Sequence, residues 1–335
     1  MVLNNSNDGQ HSVPNQLARE YLSHNEGLTL TASTVNTYDS TLTEFVQFLH
    51  DRDASVLSAE FSDILSYIES CVRRGNRQST VTRKLSTIGE LYRYIHLRTE
   101  SGQELALDPL RFREIDLSRY NTPQKIERDA LSREEIKRLF DAFQSYRNRL
   151  MAVLGVETGI RNSEIRNLRL DDLNEDTIHV WDPKGSKPYD VPISDGLRFE
   201  FDYWLQHHRG GYAAASESEF VFPSQHGVKL ETNGSLNTIV KRAAERAGIQ
   251  EVIGRIQVPE SQQGVLGTEQ EYRELHRVTV HTFRHSFITL LADAGVGLQY
   301  RQLVANHDSV ETTLGYDHSD SDVFESLRKN FDPPR

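Results

Sequence analysis

Cysteine, lysine and long apolar runs are what this chain has least of. A single cysteine, Cys71, among 335 residues excludes an intrachain disulfide and a cysteine-based zinc cluster. No apolar run approaches the roughly 20 residues that span a bilayer. The opening stretch, MVLNNSNDGQHS, has neither the basic start nor the apolar segment of a signal peptide. A cytoplasmic protein with no membrane partner is the expectation. Lysine supplies only 8 of the 38 basic residues, and acids outnumber bases 49 to 38, for a net charge of −11 and a pI of about 5.6. An acid-rich, lysine-poor surface suits a protein that works in concentrated salt. The balance excludes a uniformly basic nucleic-acid binder, but a basic face offset by an acidic back passes this test.

What is present is enough chain for two domains and a succession of helical patterns. Residues 1–12 are polar and patternless and read as a flexible tail. From 13 to 103 the spacing predicts a helical domain. Its first helix runs from Asn15 to about Ser23. The next, VNTYDSTLTEFVQFLHDR, has Val35, Tyr38, Leu42, Phe45, Val46 and Leu49 on one face and Ser33 or Thr34 as cap. SAEFSDILSYIESCVRR follows, opened by Ser58 or Ala59. RQSTVTRKLSTIGELYRYIHLR then carries a stripe of Val81, Leu85, Ile88, Leu91 and Ile95. Between Cys71 and Arg98 seven bases (Arg73, Arg74, Arg77, Arg83, Lys84, Arg93, Arg98) face one acid, Glu90. Such a run is either a solvated helix face or a face that tracks phosphates. In a chain this acidic the second is expected, with Arg73, Arg74, Arg77, Arg83 and Lys84 as candidate DNA contacts.

Residues 104–128 lose helical periodicity, hold two prolines and read as an interdomain linker. A second domain, 129–335, opens with ALSREEIKRLFDAF, where Ser132 and Glu135 have capping-box spacing. RLMAVLGVETG predicts a buried helix ending at Gly159, and RNSEIRNLRL begins another. TIHVW and KPYDVPI alternate around PKGS as a two-stranded hairpin. GSLNTIVKRAAERAGI is helical, IQVPESQQGVLGTEQEY is a polar insertion, and HTFRHSFITLLADAG, LQYRQLVANH and SVETTLGYDH complete the helices. The fold class is therefore mainly α: a helical N-terminal domain and a mostly helical second domain with a small antiparallel sheet.

Four separated stretches hold the residues that suggest chemistry. VETGIRNSEIRNL places Arg161 just after a helix-ending Thr-Gly. DPKGSKPYDVPI puts Lys184 on the hairpin tip, with Lys187 flanking the same turn. HTFRHS sets His281 and Arg284 three apart on one turn. ANHDSVETTLGYDH carries His307 and, nine positions later, Tyr316. Singly, each reads as an ordinary surface or packing residue. In this order and spacing they resemble the tyrosine site-specific recombinases, the phage-integrase family, over roughly Leu131 to Arg335, with the helical region before Arg98 similar to that family's core-binding domain. The chain departs from the family pattern at Ala305-Asn306, where a Leu-Gly is usual.

The resemblance implies a catalytic set and a reaction. Two guanidinium groups, Arg161 and Arg284, neutralise a phosphodiester without a metal. Tyr316 is the nucleophile that forms a 3′-phosphotyrosine. His281 is the general base, Lys184 the general acid, and His307 a hydrogen-bond donor to the phosphate. Glu164 orients a cationic or imidazole partner, and His285 makes a structural hydrogen bond behind the pair. The energy of the broken bond stays in the phosphotyrosine, so neither a nucleotide nor a metal cofactor is needed. The partner is double-stranded DNA, and strand exchange implies a homotetramer on it, with the tail after His318 (Val323, Phe324, Leu327) reaching a neighbouring protomer. Two other readings are a type IB-like topoisomerase using the same chemistry and a catalytically silent DNA-binding protein. Retention of all six candidate residues argues against the silent protein, and the two-domain size against the topoisomerase. A helical protein-interaction module leaves the constellation unexplained.

Overall fold

The computed structural model describes residues 13–124, 126, 128–181, 188–258 and 272–296. These fall into two compact units. One holds the described residues up to Ile126 together with those between Gly254 and Leu275; the other holds those up to Ile253 and from His276 onward.

The first unit is built on four helices: α1 (Gln16–Asn25), α2 (Ala32–His50), α3 (Phe61–Arg73) and α4 (Gln78–Arg98). The fourth is central, packing against the other three through Val81, Ile88, Leu91, Tyr92 and Ile95, all buried. Two caps differ from expectation. The second helix starts after Thr31, and the third after Glu60, whose backbone N–H donates to Asp63 at 2.9 Å. Ser55 and Ser58 instead bond each other at 3.0 Å in the preceding turn, so Ser58 is engaged one turn too early to cap.

The segment expected as a linker is largely part of this unit. Short 3₁₀ turns at Glu100–Gln103, Pro109–Glu114 and Leu117–Arg119 run beside α4. Leu107 is buried, Phe112 lies against Tyr92 with ring centroids 5.6 Å apart, and Ala106 N–H donates to Leu57 at 2.9 Å. The prolines do exclude a long α-helix, but Leu105, Leu107, Phe112, Ile115, Leu117 and Tyr120 join the core. An apolar strap of this kind has no helical period to read.

In the second unit, α5 (Arg133–Asp141) opens on the Ser132–Glu135 capping box, and α6 (Tyr146–Thr158) is buried on nearly every side, as its apolar stretch from Leu150 to Val156 requires. After α7 (Asn162–Asn167) come β1 (Thr177–Val180) and β2 (Tyr189–Pro192), paired antiparallel with Thr177 opposite Pro192 and Val180 opposite Tyr189. Next are α8 (Asp195–His207), a helix not among the sequence expectations, and α9 (Asn233–Arg246). A second two-stranded sheet, β3 (Val252–Gln257) with β4 (Tyr272–His276), flanks the polar insertion. Those strands were not expected, and most of their residues cluster with the first unit rather than with the second domain assigned to them. The last described helix, α10 (Val280–Asp293), lies along α6. A Cβ at Gly155 would stand 2.9 Å from the Phe283 ring, so glycine is what allows the two helices to approach. Among the described residues no helix is long and apolar enough to cross a membrane.

Candidate active site

The site grows from the turn that ends α6. Gly159 takes the left-handed conformation (φ +65°) and its N–H closes the helix on Gly155 at 3.1 Å, a conformation that glycine adopts without a Cβ penalty. A Cβ there would also collide with the ring of Phe287 on α10. Two residues on, Arg161 is the N-cap of α7. Glu164, at the third position of that helix, accepts from the Arg161 backbone N–H and, at 3.0 Å, from its guanidinium Nη1. The Glu164 side chain is 1% exposed and that of Arg161 29%. A carboxylate buried this deeply requires the cation beside it.

Arg284 reaches the same turn from α10. Its Nη1 donates to the Gly159 carbonyl at 2.9 Å, and the residue is 7% exposed. Helix α10 begins at Thr279, where the Thr282 hydroxyl accepts from the cap N–H at 3.1 Å. His281 and Arg284 therefore stand in its first turns, at the end of the helix dipole that favours an anion. His281 is exposed, and the ring of His285 meets it edge to face, with centroids 4.8 Å apart. His285 is exposed too, on the same helix and in ring contact with His281.

One participant was missed. Tyr189 on β2 donates its hydroxyl to Glu164 at 3.2 Å. Burial first, then the Glu164 carboxylate, pushes its phenol pKa up; Arg161 and Arg284 pull it the other way and lose. The sequence did hold a signal, since strand alternation puts Tyr189 on the same inner face as Val191, with Val180 directly opposite.

Of the predicted catalytic residues, the structure thus brings Arg161 and Arg284 to one turn, with His281 at the head of the second arginine's helix. Lys184, His307 and Tyr316, and the tail after His318, lie outside the described residues. Of the predicted DNA contacts, Arg73 and Arg83 are exposed and Arg77 is half-buried at the N-cap of α4. Arg73 pairs with Glu69 at 2.9 Å on the surface.

Lys84 is a correction. Its side chain is 8% exposed, and Nζ donates to both oxygens of buried Glu44, at 2.7 and 2.6 Å. Arg74 donates to the same carboxylate, and so does the Tyr67 hydroxyl at 2.9 Å. Position 84 falls on the inward stripe of α4 between Val81 and Ile88. Its ammonium neutralises an interior acid instead of meeting a phosphate, and Arg74 leans the same way.

The chain is similar to several known proteins. A model of the phage integrase family matches residues 129–322, and one described as the phage integrase N-terminal SAM-like domain matches residues 19–98. The tyrosine recombinase XerD of Oceanobacillus iheyensis is 25% identical over 91% of this chain and 93% of its own length, and XerC of the same organism is 27% identical over 86% of each. Among solved structures, a lambda integrase dimer bound to a COC′ core site superposes with a TM-score of 0.62 at 15% identity, covering 93% of this chain and 94% of that one. XerH bound to its difH substrate gives 0.56 at 21% identity, covering 88% and 78%. The first family model spans more than half of the sequence and takes in the Gly159 turn, α10 and Tyr316, and on that ground the chain belongs to the phage integrase family, the tyrosine recombinases.

Proposed function

We propose that this recombinase cleaves and rejoins double-stranded DNA at a specific site through a 3′-phosphotyrosine on Tyr316. The observation that carries the reading is the convergence of Arg161 and Arg284 on the Gly159 turn, with Glu164 buried beneath. When the Tyr316 oxygen bonds to phosphorus, the P–O5′ bond breaks and charge grows on the non-bridging oxygens. Two permanent cations placed there beforehand stabilise that charge without a metal. His281 takes the phenol proton, Lys184 delivers a proton to the departing O5′, and His307 donates to the phosphate. Rejoining runs the same steps in reverse, with a 5′-hydroxyl as nucleophile.

Tyr189, the tyrosine beside the arginines, is unsuited to attack. Its hydroxyl is held by a carboxylate and its pKa is raised, whereas a nucleophile needs its proton loosened. Arg73, Arg77 and Arg83 on the N-terminal unit serve as phosphate contacts. Lambda integrase has been solved as a tetramer bound to a Holliday junction. The same assembly is proposed here, with the tail after His318 contacting a neighbouring protomer on DNA.

The test uses a pool of nicked duplexes made from host genomic fragments, in which a cleaved end diffuses away and the covalent complex is trapped. Wild type is expected to give protease-sensitive DNA adducts whose recovered ends share one sequence. Tyr316→Phe gives none. Binding without an adduct at any salt concentration would replace this reading with a silent DNA-binding protein, and an adduct surviving in Tyr316→Phe would mean another nucleophile.

A further inference from the structure

The Glu164 carboxylate collects three donors from two elements. Two belong to Arg161, its backbone N–H and its Nη1; the third is the Tyr189 hydroxyl on β2. Helix α7, which Arg161 opens, has only six residues. So short a helix has few hydrogen bonds of its own, and its first turn takes its orientation from what it touches. The backbone N–H and Nη1 of Arg161 fix Glu164 only relative to Arg161 itself. The Tyr189 bond ties the carboxylate to the sheet. A charged side chain at a reacting centre must be held to a fraction of an ångström, and second partners do this.

We infer that Tyr189 is a positioning residue of the phosphate clamp, holding Glu164 so that the Arg161 guanidinium is aimed at the scissile phosphate before DNA arrives. Its raised pKa keeps it protonated, and therefore a donor, at neutral pH. The inference rests on the recombinase reading above, and adds to it a residue that touches neither the DNA nor the reacting atoms.

The test measures single-turnover adduct formation by the full chain on the duplex recovered from the pool. A second substrate carries a methylphosphonate at the scissile position, as each of its two diastereomers. Replacing one non-bridging oxygen by methyl removes the negative charge and, in one diastereomer, the need for Arg161. Tyr189→Phe is expected to slow cleavage of the ordinary duplex about tenfold, the size of a lost hydrogen bond to a charged group, with DNA affinity unchanged. Its deficit should shrink to less than about twofold on the same diastereomer that rescues Arg161→Ala. In a Glu164→Gln background Tyr189→Phe should add nothing further, because both changes act through one carboxylate.

Tyr189→Phe removes a single oxygen, and circular dichroism of the variant verifies that it is folded. Equal slowing on all three substrates, full additivity with Glu164→Gln, or no slowing at all would each overturn the inference while leaving the recombinase intact. If neither diastereomer rescues Arg161→Ala, the clamp itself is wrong and the inference falls with it.

Discussion

In the N-terminal unit Glu44 gathers Lys84, Arg74 and Tyr67; in the second unit Glu164 gathers Arg161 and Tyr189, with Arg284 alongside. The ingredients match: one buried carboxylate, one tyrosine hydroxyl, two cations. The arrangements differ. Lys84 and Arg74 both point at Glu44, from helices that pack face to face with it, so their charge is directed into the core. In the second unit the cations are spread along a turn, Arg161 on Glu164 and Arg284 on a backbone carbonyl, next to exposed His281. The first cluster is framework; under the function proposed above, the second receives the scissile phosphate.

Substitution separates the two most sharply. Arg161→Ala is expected to slow adduct formation by the folded fraction about a hundred- to a thousandfold, the usual cost of one transition-state donor, and also to lower the urea midpoint, because buried Glu164 loses its cation. Lys84→Met should lower stability alone. It leaves Glu44 buried with a partner missing, a loss on the order of 3 kcal/mol in urea unfolding followed by circular dichroism, while the folded fraction cleaves at the wild-type rate. A Lys84→Met protein of normal stability but weak activity would erase the distinction.

The same contrast shows how much could be read in advance. The Gly159 turn was legible because glycine takes a left-handed helix end without a Cβ penalty. So was the Ser132–Glu135 box, since both are local. Lys84 was misread because counting charges ignores helical phase: between Val81 and Ile88 its side chain turns inward whatever its charge. The segment after Gln103 reads as a linker because its apolar residues follow no period. α8 did carry a legible pattern, with Ser194 accepting from Leu197 N–H and with Leu197, Phe201 and Trp204 buried at helical spacing. The bond between Tyr189 and Glu164 was out of reach. It joins residues 25 apart in the sequence, and strand alternation says which way Tyr189 faces but not what it meets.

A third carboxylate–arginine pair lies between the two extremes. Glu135 at the start of α5 receives both terminal nitrogens of Arg277, at 2.7 and 3.2 Å, with side chains 18% and 16% exposed. The Arg277 hydrogen bonds hold the Glu135 pKa below the ordinary carboxylate range, more strongly than desolvation raises it. A carboxylate depressed in the folded state contributes stability above its unfolded pKa of about 4.3 and loses it as pH falls through the folded value. Glu135→Gln should therefore cost on the order of 1 kcal/mol at neutral pH, and the gap to wild type should close on acidification. Tryptophan fluorescence reads this directly, because Trp181 and Trp204 both lie in the same unit as the pair. A gap that widens in acid would mean that the pair is not what depresses Glu135.

The smallest effect expected concerns the face of the N-terminal unit. If exposed Arg83 contacts a phosphate, removing it releases one fewer counterion, and the slope of log affinity against log salt should flatten by about 0.9 in Arg83→Ala. Lys84→Ala should leave that slope unchanged, because the ammonium one position away is turned into the core against Glu44. The comparison is internal to one helix and needs no knowledge of the target sequence, since phosphate contacts are sequence-independent. Equal flattening by both substitutions would show Lys84 turning outward when DNA binds, and Glu44 would then belong with Glu164, as a holder of cations for phosphate.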